Sequence, residues 1–310
     1  MFTHSSFLYI STVLIWGSSW FAIKFQLGTV AEEVSLVYRF AIASALLLAY
    51  CLITRRRMAF TLSQHFFIAL QGVFLFATNY LVIYWATHTL SSGLIAVAFS
   101  TIIVMNIIGS AIAFRQAIST RVVVGALIGV VGVGLIFWPE VSTFDMSTAG
   151  LHALLFAFLG TLFASVGNIL SARNQKQGLP VVQTNAWGMG YGASFMALWA
   201  LLSGTPFNFE TTTGYVGSLL FLSLFASIFA FGGYLTLLGR IGADRAAYAM
   251  VVFPVVALAI STVFEGYTWT AVAAGGLALV LVGNVVVLRK SKAAKPDSDP
   301  SSTDSHVTQS

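Results

Sequence analysis

The chain has 310 residues, of which 58% are hydrophobic and 8% charged, with a net charge of +5. A soluble domain carries roughly 25% charged residues, so this composition places the chain in the membrane class and argues against a soluble enzyme or a nucleic-acid-binding module. Its one cysteine, Cys51, excludes an intrachain disulfide and a cysteine-based metal cluster.

Apolar runs long enough, or nearly so, for the ~20 residues that span a bilayer are read at 7–27, 33–53, 66–86, 91–114, 121–138, 149–171, 182–203, 214–238, 244–264 and 269–288. The pattern predicts an all-α integral membrane protein of ten transmembrane helices joined by short connections. The tail from Arg289 to Ser310, rich in Ser, Asp and Lys, reads as disordered. No Lys or Arg precedes the first run and no small-x-small site follows it, so it is read as a retained helix.

The first run carries Trp16-Gly17-Ser18-Ser19-Trp20-Phe21-Ala22-Ile23-Lys24. Trp16, Trp20 and Lys24 recur every four residues and form one stripe on a helix, beside small residues that admit a neighbouring helix. The second run opens at Glu32 and Glu33 and carries Arg39 about two turns in. Of the 15 Lys and Arg residues, only Lys24 and Arg39 fall inside apolar runs. Every other one falls, by alternation of the loops, on one side, from Arg55-Arg56-Arg57 through Arg115, Arg173 and Arg240 to Lys295. The other side receives Glu32, Glu33, Glu140, Asp145, Glu210 and Glu265. Cations gather on the cytoplasmic face, so both termini are expected there.

The third run has Asn79, Tyr80, Tyr84 and Trp85 in its outer half, and the fourth carries Asn106. The fifth has Gly125, Gly129, Gly132 and Gly134, a face suited to tight helix packing. The second half resembles the first: Ser92–Ala96 corresponds to Asp244–Tyr248, and Gly125 and Gly132 match Gly276 and Gly283 at the same spacing. Five is odd, so a second copy enters from the opposite side. Two inverted repeats, 7–138 and 149–288, followed by a 289–310 tail, are the expected organisation. Inverted repeats are typical of secondary transporters, with a site near the midplane between them.

Trp16-Gly17 followed by Lys24, Arg39-Phe40, Pro254, Glu265, Gly276 and Gly283 stand in an order that resembles the drug/metabolite transporter superfamily, in its ten-helix EamA-type branch. The resemblance covers about residues 7–288 and implies two EamA repeats and export of a small metabolite through a bacterial-type inner membrane. Two features depart from it. Thr101-Ile102 stands where the family often has a proline in the fourth helix, and Arg115-Gln116 replaces an expected acid. Motion that relies on a broken helix is therefore expected at Pro254.

The expected substrate-binding residues are Trp16, Trp20, Lys24, Arg39, Asn79, Tyr80, Tyr84, Trp187 and Tyr248, with Pro254 as the gating residue. Each has a plainer reading beside the functional one. Lys24 and Arg39 either snorkel to headgroups, or meet an anionic substrate group, for which an Arg offers two parallel hydrogen bonds. Arg39 has a third option, a pair with Glu32 seven residues earlier. The aromatic residues either fill core and interfacial belts or line a pocket. Asn168 and Asn284 read as packing residues near inner helix ends. Pro254 is either a tolerated kink or a hinge.

No acid lies deep within any predicted helix, which argues against burial of an organic cation or proton antiport through an acid. No phosphate-binding loop is present, so this chain alone does not run on ATP. No nucleophile–base pair or metal-ligand cluster occurs at useful spacing, so neither an enzyme nor a cofactor is expected. The expected partners are a small-molecule substrate and membrane lipid, with no nucleic acid. The leading function is export of a small zwitterionic or anionic metabolite such as an amino acid. The alternatives are a broad-range drug or toxic-analogue exporter and, from another class, a lipid-handling or structural membrane protein.

Overall fold

The computed structural model describes residues 5–90, 92–144, 146–264 and 269–288. Asp145, Glu265 and the 289–310 tail lie outside these residues. Among them the regular structure is entirely helical. Helix α1 spans Ser5–Lys24 and α2 spans Glu32–Ile53. Helix α3 joins Leu62–Val73, a π-helical segment Phe74–Thr78 and Asn79–Thr87. Helix α4 is Ser92–Ser100 and Ile102–Phe114, and α5 is Thr120–Ile136, followed by a short turn at Trp138–Ser142. Helix α6 spans Thr148–Lys176 and α7 spans Val181–Leu202. Helix α8 joins Thr213–Phe221, a second π-helical segment Leu222–Ala230 and Phe231–Ile241. Helix α9 is a turn at Ala243–Ala246 and then Tyr248–Phe264, and α10 is Ala271–Leu288.

Among the described residues 8 helices are long and apolar enough to cross a membrane: all of these but α5 and α7. Helix α5 is apolar but only 17 residues long. Helix α7 has 22 residues but opens with Gln183, Thr184 and Asn185, all buried against neighbouring helices. Helix starts follow ordinary capping chemistry. Thr61 and Gln64 form a capping box at α3, and the Ser147 hydroxyl accepts from the Gly150 N–H at 3.2 Å to open α6. Glu32 and Glu33 occupy the first turn of α2, where the helix dipole favours negative charge.

Two helix pairs form the frame, α5 with α10 and α2 with α7, each packed along its length. A Cβ on Gly125 would fall 3.0 Å from the Gly283 carbonyl oxygen, and one on Gly132 would fall 2.7 Å from that of Gly276. Only hydrogen fits at these crossings, so the backbones themselves touch. The order of the contacts, Gly125 on Gly283 and Gly132 on Gly276, makes α5 and α10 antiparallel. The same holds for α2 and α7, where Ser44 donates to the Ala186 carbonyl at 2.7 Å and Val34 packs in one cluster with Ala200.

The helix break expected at Pro254 is not there. Helix α9 runs unbroken from Tyr248 to Phe264 through Pro254. Interruptions lie instead at Ala247, before the long segment of α9, and in α4 at Thr101, in the region where the family often has a proline. There the Thr101 hydroxyl donates to the Ala98 carbonyl at 2.6 Å and the Ser100 hydroxyl to the Val97 carbonyl at 2.7 Å. Hydroxyls that take backbone carbonyls in this way bend a helix without a proline.

Candidate functional site

The helices enclose a cavity of about 580 Å³. Its walls come from α1, α2, α3, α4, α6, α8 and α9. Its lining includes Leu27 and His88, both exposed, in the α1–α2 and α3–α4 connections. It also includes Leu75, Ile102, Ala164, Asn168 and Phe231, all buried.

Arg39 is its central charged group. The side chain is only 5% exposed, although it sits in an apolar run. Its Nε donates to the Ser227 hydroxyl at 2.8 Å. Its guanidinium carbon lies 5.1 Å from the Phe40 ring centroid and 5.4 Å from that of Tyr80. Cation–π contacts of this kind are worth about 0.5–2 kcal/mol each, more where water is excluded. They hold the guanidinium inside the bundle, so Arg39 does not snorkel. No carboxylate among the described residues pairs with it, so the optional bridge to Glu32 is not made although both line the same cavity.

The two π-helical segments supply this geometry. π-helical turns are rare and are frequent at functional sites. In α8 the Ala226 carbonyl accepts from the Trp16 indole N–H at 3.1 Å, and the next residue, Ser227, receives Arg39. In α3 the π segment is followed directly by Asn79, which lines the cavity with Tyr80 and Tyr84. Trp16 is further fixed by Phe231, edge-on at 4.9 Å, and Tyr234 at 5.2 Å. Gly17 lets α1 approach α9 at Pro254: a Cβ there would fall 2.6 Å from a Val256 methyl and 3.0 Å from the Phe253 carbonyl oxygen.

The expected residues Trp16, Arg39, Asn79, Tyr80, Tyr84 and Pro254 thus converge on one cavity. Trp187 and Tyr248 do not line it. The Trp187 indole donates to the Met58 carbonyl at 3.3 Å and its ring stacks on Tyr191 beside His65, in a cluster between α7 and the start of α3. Tyr248 is fully buried at the α5–α10 crossing, where its hydroxyl fills the space left by Gly129 and Gly283 and donates to the Val280 carbonyl at 3.0 Å. Both are packing residues here because an aromatic ring with a polar tip suits a helix crossing as well as a pocket. The side chains of Trp20 and Lys24 lie outside the described part of the structure.

Two lining residues were missed. Asn168 donates its amide to the Tyr234 hydroxyl at 3.1 Å, and its Oδ1 is buried with no partner. The only available signal was a polar residue in the Ser165-x-Gly167-Asn168 stretch of α6, which also reads as packing. Asn284 fits that packing reading, since its Oδ1 accepts from the Tyr9 hydroxyl at 3.1 Å. Glu32 is the second. It is half-buried at the first residue of α2, not deep within the helix, and it lines the cavity.

Fold and site together define a multi-pass membrane protein built around an aromatic cavity with a buried cation. Comparison with known proteins is specific about its class. The EamA-like transporter family matches over residues 5–138 and again over 151–289, and the chain belongs to that family, one of transporters and not enzymes. It is 26% identical over 280 residues to an uncharacterized transporter of Archaeoglobus fulgidus, covering 90% of this chain and 96% of that one. It is 24% identical to the uncharacterized transporter YoaV of Bacillus subtilis, covering 80% and 84% of the two chains. It is 25% identical to protein PagO of Salmonella typhimurium, covering 84% and 85%. A known crystal structure superposes with a TM-score of 0.75 at 16% identity, covering 92% of this chain and 96% of that one, so the fold is shared.

Proposed function

We propose that this transporter is a secondary exporter of a small zwitterionic or anionic metabolite, such as an amino acid, working by alternating access across a bacterial-type inner membrane. The observation that carries the reading is Arg39: a buried guanidinium with no anionic partner among the described residues, lining a cavity of about 580 Å³ among aromatic rings. A buried charge left unpaired is costly, and a carboxylate entering the cavity supplies the missing partner. Trp16, Tyr80 and Tyr84 offer ring faces to an apolar or aromatic substrate body.

The proposed frame is ten crossings, with α5 and α7 added to the eight apolar helices, both termini cytoplasmic, and two inverted five-helix repeats. Four features support it. The family matches twice along the chain. The pairs α5–α10 and α2–α7 join helices five apart in antiparallel fashion. The π segments fall in α3 and α8, and the interruptions fall in α4 and α9, again five apart. The exposed lining residues Leu27 and His88 stand in connections on the side with the acidic loops, which supports reading this conformation as outward-open. Uptake and counterflow of radiolabelled amino acids by the purified chain in liposomes tests the reading. Accumulation no greater than in empty liposomes, for zwitterions and simple carboxylates alike, refutes it.

A further inference from the structure

Arg39 accounts for a negative group on the substrate and leaves open whether the substrate also carries a positive one. Among the described residues the charged side chains lining the cavity are Arg39 and Glu32, with His88 in the α3–α4 connection. Glu32 has neither a hydrogen bond nor an ion pair among the described residues. Its neighbour Glu33 differs: its Oε1 accepts from the Thr205 hydroxyl at 2.9 Å, away from the cavity. Both acids complement the α2 dipole, and that role does not require Glu32 to face the cavity. Tyr84 lines the same cavity as both charges. Seven residues of helix separate their backbones by about 10 Å, on one face. Fixed charges of opposite sign, held in one cavity without neutralising each other, match a ligand that carries both.

We infer that Glu32 forms a second, amine-binding pole of the site, so that the cavity takes a zwitterion with its carboxylate on Arg39 and its cationic nitrogen towards Glu32. Asn79 independently supports a polar ligand in the cavity. It is 5% exposed, lines the cavity, and its Oδ1 has no partner. Buried acceptors in native proteins are rarely left unsatisfied, and a substrate N–H would complete this one. The inference rests on the reading of Arg39 as the carboxylate site, and it sharpens that reading by excluding simple anions as good substrates.

The test is flux through the purified full-length chain in liposomes with matched probes: L-phenylalanine and 3-phenylpropionate, and L-leucine and 4-methylpentanoate. Each pair differs chiefly by the amine. The wild type is expected to prefer the zwitterion by about tenfold or more, the scale of one buried charged hydrogen bond. Glu32→Gln should collapse that preference to near unity by losing the zwitterion, while the deaminated acids still move. Glu32→Asp, which keeps the charge, should retain a preference and shows that the site still folds. Equal flux of zwitterion and acid in the wild type, or a preference unchanged in Glu32→Gln, overturns the amine pole and leaves Arg39 as an anion site. No flux of any probe overturns the reading of Arg39 itself, and the amine pole with it.

Discussion

Replacing Arg39 separates a substrate-binding cation from a structural one. In the free protein the guanidinium is buried with one hydrogen bond, to Ser227 at 2.8 Å, and two ring faces at 5.1 and 5.4 Å. Burial of a charge with so little compensation is unfavourable, so Arg39→Gln relieves a desolvation cost as it removes these contacts. The melting temperature of the detergent-purified protein should therefore stay level or rise. Binding should fall. A hydrogen bond to a charged group contributes about 1.5–3 kcal/mol, and tenfold in affinity is about 1.4 kcal/mol, so the dissociation constant for a carboxylate substrate should rise roughly 10- to 100-fold. Arg39→Lys should rescue little of this. An ammonium cannot donate from the Nε position to Ser227 while lying flat on Tyr80 and Phe40. Scintillation-proximity binding and liposome flux at equal protein density measure both variants. Wild-type affinity in Arg39→Gln refutes direct contact. A melting temperature many degrees lower, with binding per folded molecule unchanged, shows instead that Arg39 is a structural strut.

The α5–α10 seam offers a paired control. Gly276→Ala places a methyl 2.6 Å from the Gly132 carbonyl oxygen, whereas Gly275→Ala meets nothing within 4 Å. The first should cost about 1–3 kcal/mol of overpacking and lower the melting temperature, and the second should be neutral; equal effects would refute the seam. Pro254→Ala restores an N–H to a continuous α9, so stability should rise while turnover falls more than substrate affinity. Unchanged turnover would make Pro254 a packing feature and move the search for a hinge to Thr101. Trp187→Phe should leave substrate affinity within about twofold of wild type, because the ring packs on Tyr191 outside the cavity; a tenfold loss would extend the site to α7. A periplasm-active reporter fused after Ser310 should be silent, and strong activity would refute the proposed orientation.

Much of this protein follows from local chemistry alone. Bilayer-length apolar runs dictate helices because hydrocarbon leaves backbone polar groups no other partner. The glycines at 125, 132, 276 and 283 marked a close crossing because nothing larger permits backbone contact. Arg39 stood out because a cation in an apolar run needs a reason. Tertiary structure decided the rest. Whether Tyr248 fills a crossing or a pocket depends on which face its neighbours occupy, and identical aromatic chemistry serves both. The α4 break rests on two hydroxyls choosing carbonyls three residues back, an option open to every Ser and Thr in a helix and therefore silent in the sequence. The π segments that present Ala226 and Ser227 to Trp16 and Arg39 carry no sequence signature of their own. Glu32 read as an ordinary first-turn acid. Only the assembly of the helices turns that position into part of a cavity wall, because a site shared by seven helices exists only once they have packed.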